Sequence, residues 1–179
     1  EYAAGKEGEA KAKHWYEQLA KNYAGHPNAA RALGALKRLD SEGKPLELQG
    51  PVIGTNQPFA AAQMNGKVVV VYYWASWVTT LEQDAKKLKE LVATYGPKGL
   101  EVVTVCLDDD PQAGLKAIQA VQLPGTHLHQ RGGVDASPLA IGYGIHMPPH
   151  AFVVGKDGKV VNKNAPVLTL DGDLKPLMP

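Results

Sequence analysis

Val68-Val69-Val70-Val71-Tyr72-Tyr73-Trp74-Ala75-Ser76-Trp77 runs without a charge or a turn residue and leads into Val78-Thr79-Thr80-Leu81. A β-branched and aromatic run with no polar alternation predicts a central strand covered on both faces. Asn65-Gly66 ahead of it is turn punctuation. Behind it, Leu81, Ala85, Leu88, Leu91, Val92 and Tyr95 recur at helical spacing until Gly96-Pro97 stops the pattern. Thr79 with Glu82 three residues on has the form of a capping box, and Glu82 with Lys86 adds an i,i+4 pair in the favourable order.

Working downstream, Leu100 to Leu107 predicts a second buried strand, ended by Asp108-Asp109-Asp110-Pro111. Gln112 to Gln122 and Ser137 to Gly142 predict helices, and Thr126 to His129 a short strand. Ala151 to Val154 and Lys159 to Asn162 predict two strands joined by the turn Gly155-Lys156-Asp157-Gly158. Crossovers followed by a terminal hairpin imply an α/β fold, a mixed central sheet with helices on both faces.

Upstream, Leu46 to Leu48 predicts a short strand. Before it, Ala12, Trp15, Tyr16, Leu19 and Tyr23 form an amphipathic stripe, and Gly25-His26-Pro27 breaks it. Asn28 is the expected N-cap of a second helix with Ala32, Leu33, Leu36 and Leu39 on one face. Residues 1–45 thus form an N-terminal helical hairpin, and residues 46–179 the α/β domain. The hairpin is similar in size to one tetratricopeptide-type unit. A single unit cannot bury its own stripe, so it is expected to pack on the domain that follows.

Of the 179 residues, 44% are hydrophobic and 21% charged, enough apolar material for a buried core. Nineteen Lys and Arg against 18 Asp and Glu leave a net charge of +1, which gives nucleic-acid binding no electrostatic footprint. No apolar run reaches the ~20 residues of a membrane helix, so no transmembrane segment is expected. The opening Glu1-Tyr2-Ala3-Ala4-Gly5 has no basic stretch with an apolar run behind it, and no signal peptide is read there. Cys106 is the single cysteine, which excludes an internal disulfide and a cysteine-based zinc site.

Three separated fragments carry a resemblance: Gly66-Lys67 with the Val68–Trp77 run; Tyr143-Gly144-Ile145 with Pro149; and Ala151-Phe152-Val153-Val154 with Lys156-Asp157-Gly158-Lys159-Val160. In this order and spacing, over about residues 46–161, the chain resembles the thioredoxin fold. The similarity is to the TlpA/ResA-like, redoxin-domain branch of thiol-disulfide oxidoreductases. The resemblance implies an extracytoplasmic setting, periplasmic or membrane-tethered. It also implies a Cys-x-x-Cys motif at the start of the first long helix, where free N–H groups and the helix dipole stabilise a thiolate. Here those positions are Val78, Thr79, Thr80 and Leu81 after Trp77, and neither end carries sulfur. In many members a buried acid stands on the strand leading into the motif; Tyr72 stands there instead.

The resemblance further implies that Pro149 is cis and that backbone beside it pairs with an extended peptide. Trp77, Val78, Met147 and Pro148, with His150 next to the proline, are the expected peptide- or protein-binding surface. The expected function is therefore a thioredoxin-fold, non-catalytic binding module, with no catalytic residue and no cofactor. By family label alone it would be a thiol-disulfide oxidoreductase. An alternative is a metal- or haem-binding protein, or an enzyme of another kind, that uses His127, His129, His146 and His150 as ligands. Cys106, on a buried strand beside three acids, is expected to be a core residue.

Overall fold

A computed structural model describes residues 5–178, so residues 1–4, where a signal peptide was sought, lie outside the described part. The sheet is built around β3 (Val68–Trp74), all seven residues of which are buried. That explains the absence of alternation in its sequence, because both of its faces lie against other elements. Strand order is β5-β4-β3-β6-β7, with β4 at Leu100–Cys106, β5 at Thr126–His129, β6 at His150–Val154 and β7 at Val160–Asn162. β3, β4 and β5 are parallel, while β6 runs antiparallel to β3 and to β7.

Register sorts the side chains. Tyr72 pairs with Thr104 and then His127, and Trp74 with Cys106 and then His129, so these six share one face. Helices α3 (Leu81–Tyr95), α4 (Pro111–Val121) and α7 (Leu170–Leu177) cover that face. Tyr72 reaches Asp84 of α3, α4 presents Gly114 to the Cys106 sulfur, and Lys87 of α3 is paired with Asp171 of α7. Tyr73, Phe152 and His150 lie on the other face. On that side lie α6 (Pro138–Ile141), which follows α5 (Gly133–Ala136), and α2 (Pro27–Leu39), while α1 (Gly5–Asn22) packs on α2 and leaves Trp15 exposed.

α2 is docked by its backbone. A Cβ on Gly34 would lie 1.9 Å from the Ile141 carbonyl oxygen, and one on Gly144, at φ +59°, 2.4 Å from the Ala35 nitrogen. Two glycines facing each other let a helix and a turn approach at a distance no side chain permits. Buried Arg38 adds a hydrogen bond from Nε to the Tyr143 carbonyl at 3.1 Å. Ala29, Ala32, Ala35 and Leu39 are buried with it.

Several expectations need correction. The α2 N-cap is His26, two residues before Asn28, and its Nδ1 accepts from the Asn28 N–H, because Pro27 takes the first helical position. Leu33 is exposed, and the contact face is made by Ala29, Ala32, Ala35 and Leu39. Leu46 and Leu48 are buried but not in a strand. The Leu46 N–H bonds to Gly158 and the Leu48 carbonyl to Ala61, so no single ladder forms. The first strand is instead β1 (Gln49–Pro51), antiparallel to β2 (Pro58–Ala60). The capping box at Thr79 does not form: the N-cap is Thr80, without a side-chain bond to the helix backbone.

Candidate functional site

Where β3 ends, the chain turns sharply into α3. The Val78 N–H bonds to the Ala75 carbonyl at 3.0 Å and the Leu81 N–H to the Val78 carbonyl at 3.2 Å. Asp108, at the end of β4, grips the tip of this turn. Its carboxylate accepts from the Ser76 N–H at 2.9 Å and from the Ser76 hydroxyl at 2.7 Å. With Ser76 held down, Trp77 is pushed outward and is 60% exposed, while Val78 and Leu81 fold under and are buried. An aromatic ring is thus displayed on a rigid turn, and the two flanking side chains are aliphatic.

The opposing wall is the loop from Ile145 to Pro149. The Pro148–Pro149 peptide is cis. Met147 is 63% exposed, Pro148 is buried and Pro149 is exposed. A pocket of about 300 Å³ lies between this loop and α3, lined by Thr80, Asp84, Pro149, Ala165, Val167 and Leu168 among others.

At the α3 side of that pocket sits a feature the sequence reading missed. Asp84 is buried, and two hydroxyls converge on its Oδ2: Tyr72 Oη and Thr80 Oγ1, each donating at 2.8 Å. Burial, then the Asp84 carboxylate, hold the Tyr72 hydroxyl well above its ordinary pKa, so it stays a donor. Tyr72 therefore does not leave the strand's end without an acid nearby; the acid comes from the helix. The signal was present, because Asp84 falls on the same stripe as Leu81, Ala85, Leu88 and Leu91. A carboxylate on the apolar face of an amphipathic helix must find hydrogen-bond donors in the core.

Cys106 stands apart from the pocket on β4. Its thiol donates to Asp108 Oδ2 at 3.3 Å, and burial pushes its pKa up to about 12. It is a protonated core residue, not a nucleophile.

The four histidines do not meet. His127 and His129 are on the α3 side of β5, and His150 is on the opposite face of β6. His127 bonds the Thr104 hydroxyl at 2.8 Å, and His129 Nε2 donates to the Asp108 carbonyl at 2.8 Å. His146 Nδ1 lies 3.2 Å from the Gly144 carbonyl. Burial lowers the pKa of His127, and that of His150 to about 3. Among the described residues no group of three or more His, Cys, Asp or Glu is placed to hold a metal ion. Sheet register sends His127 and His129 to one face and His150 to the other, so the four do not form a single ligand set.

The Redoxin family profile matches residues 51–175, from β1 into α7. The chain belongs to the Redoxin family. The helical hairpin lies outside the matched span. Among Redoxin-type relatives, the thiol-disulfide oxidoreductase ResA of Bacillus thuringiensis strain Al Hakam is 28% identical over 144 residues, which cover 78% of this chain and 73% of that one. Against ResA proteins of several Bacillus strains, this chain spans 62% to 73% of their length. A putative thiol:disulfide interchange protein DsbE from Chlorobium tepidum superposes with a TM-score of 0.67 at 22% identity, over 78% of this chain and 99% of that one. The C-terminal domain of a putative thiol-disulfide oxidoreductase from Bacteroides thetaiotaomicron gives 0.66 at 22%, over 76% and 95%. At these identities the two structures show the shared thioredoxin-like fold. Among the described residues no helix is long and apolar enough to cross a membrane.

Proposed function

We propose that this Redoxin-family chain is a binding module without thiol chemistry, which takes an extended peptide or protein segment between Trp77 and the cis-Pro149 loop. The observation that carries the reading is the content of the α3 N-terminus. The residues that open it, Val78 and Leu81, are buried aliphatics, and the one thiol of the chain is Cys106, buried on another strand. A dithiol exchange needs an attacking thiolate and a second sulfur to resolve the mixed disulfide. Val78 and Leu81 supply neither.

Binding needs less. Trp77 and Met147 are large exposed apolar side chains, one on the turn before α3 and one on the proline loop. An aromatic anchor on a rigid turn is the kind of residue that dominates an interface. Extended backbone laid beside Pro149 would add main-chain hydrogen bonds that require no particular sequence. Residues 1–45 belong to the same design: α2 buttresses the Tyr143–Gly144 turn from which the proline loop departs. An extracytoplasmic location goes with the family resemblance.

The test uses an unfolded, carboxymethylated protein such as α-lactalbumin as the probe, which offers extended chain and no free thiol. Wild type is expected to bind it in the micromolar range, and Trp77→Ala and Met147→Ala to weaken binding about tenfold each, a typical anchor effect. Binding unaffected by both substitutions would contradict the proposed surface.

A further inference from the structure

The sheet face turned away from α3 carries a second cavity, at the opposite end of β3 from Trp77. Its volume is about 210 Å³. The floor is Val69 and Val71 of β3, Val103 of β4 and Val154 of β6, brought onto one face by register. The roof is the segment that crosses the sheet there, with Leu46, Leu48 and Phe59 buried against the space. Exposed Asn65 and Asp157 stand at the mouth.

The floor and roof side chains are hydrocarbon throughout. Polar atoms come from Asn65, Asp157 and the turn glycines Gly155 and Gly158, not from the floor or roof side chains; an aliphatic cavity of roughly 150 Å³ stays dry and accepts benzene. The volume here is larger. The roof is also light: β1 and β2 are three residues each, and the 3₁₀ turn Ala61–Met64 that completes it has no buried residue and no side-chain cap. Moving that turn alone, with Leu46, Leu48 and Phe59 left in place, breaks few buried contacts. At the mouth the Asp157 carboxylate is already partnered: Oδ1 accepts from the Lys159 N–H at 3.1 Å and Oδ2 lies 3.6 Å from the Lys159 ammonium.

We propose that this cavity is a binding site for a small uncharged apolar molecule, a single aromatic ring or a short branched alkyl chain, admitted past Met64. A carboxylate-bearing analogue is disfavoured by the hydrocarbon floor and roof, which offer its charge no partner. The site is separate from the Trp77–Pro149 surface, so binding at one can be lost while the other is kept.

Methyl-resolved NMR of the full chain, titrated with toluene and in parallel with benzoate, tests this. The expected result is saturable toluene-dependent shifts of the Val69, Val71, Val103 and Val154 methyl groups, with benzoate at least tenfold weaker. Val69→Phe, which fills the floor, is expected to abolish the toluene response. Ala61→Leu narrows the cavity from the roof and is expected to weaken it at least threefold; it serves if the floor variant does not fold. Shifts absent up to the solubility limit of toluene, shifts centred on the residues around Trp77, or an unchanged response in the folded variants would overturn the proposal.

Discussion

Tyr72, on the central strand, donates its hydroxyl to Asp84, on the first long helix, at 2.8 Å. This bond ties the strand to the helix directly beneath the turn that displays Trp77. It is buried, so its loss is felt through the group left behind. Tyr72→Phe removes one of two donors to a buried carboxylate and is expected to cost about 1–3 kcal/mol. Pairing it with Asp84→Leu removes the buried carboxylate with its buried donor and leaves only the exposed Thr80 hydroxyl, which water can satisfy, so most of that loss is expected to be recovered. Urea unfolding of the single and double variants measures both.

The N-terminal hairpin is expected to be inseparable from the domain. Gly34→Ala would place a methyl group 1.9 Å from the Ile141 carbonyl oxygen. Backbone on both sides resists movement, so a loss of about 2 kcal/mol or more is expected, within the range of overpacking and strain. Gly25→Ala, with nothing within 4 Å, is the control and should stay within ~0.5 kcal/mol. Deleting residues 1–44 should abolish cooperative unfolding by exposing the face that α2 covers, whereas a remainder that melts like the full chain would make the hairpin a separate module.

Acid should destabilise the protein through His150. Burial, then neighbouring Arg38, depress its pKa to about 3, while a hydrogen bond with the Lys163 backbone works the other way and His146 adds a smaller depression. The unfolded chain, with an ordinary histidine near 6.5, binds the proton more readily than the folded one. Stability from this group is therefore complete above pH 6.5 and is lost as pH falls from there toward 3, with a ceiling of roughly 5 kcal/mol. The slope of stability against pH between 4 and 6.5 should flatten in His150→Phe.

Cys106 should be silent toward thiol reagents in the folded state. With its pKa at about 12 and its sulfur buried, the thiolate fraction at pH 8 is negligible. Labelling by an aromatic disulfide reagent is expected only at the rate of global unfolding. Stoichiometric labelling within minutes under native conditions would contradict the assignment of a core residue.

Most of the sheet was legible because its strands carry a strong local signal. Val68–Trp74 and Leu100–Cys106 are continuous apolar runs, and the Gly155–Gly158 turn marks the terminal hairpin. β2 and α7 were not read. β2 is three residues long, and α7 contains Gly172 and Pro176, both poor helix residues, so its place depends on Leu170 and Leu174 being buried in the core. Trp77 and the proline loop were legible from the resemblance, but the exposure of Trp77 follows from the grip of Asp108 on Ser76, a contact 32 residues apart in sequence. Asp84 was overlooked because an acid near a helix start reads as a dipole partner, and only its position on the buried stripe shows otherwise.

The central claim concerns sulfur at the head of α3, and insulin-disulfide reduction with dithiothreitol as electron donor tests it most directly. Wild type is expected to match the protein-free rate, while Val78→Cys combined with Leu81→Cys, which places two thiols one helical turn apart where the helix dipole favours a thiolate, should exceed it severalfold. Wild-type turnover comparable to that of the double-cysteine variant would contradict the account.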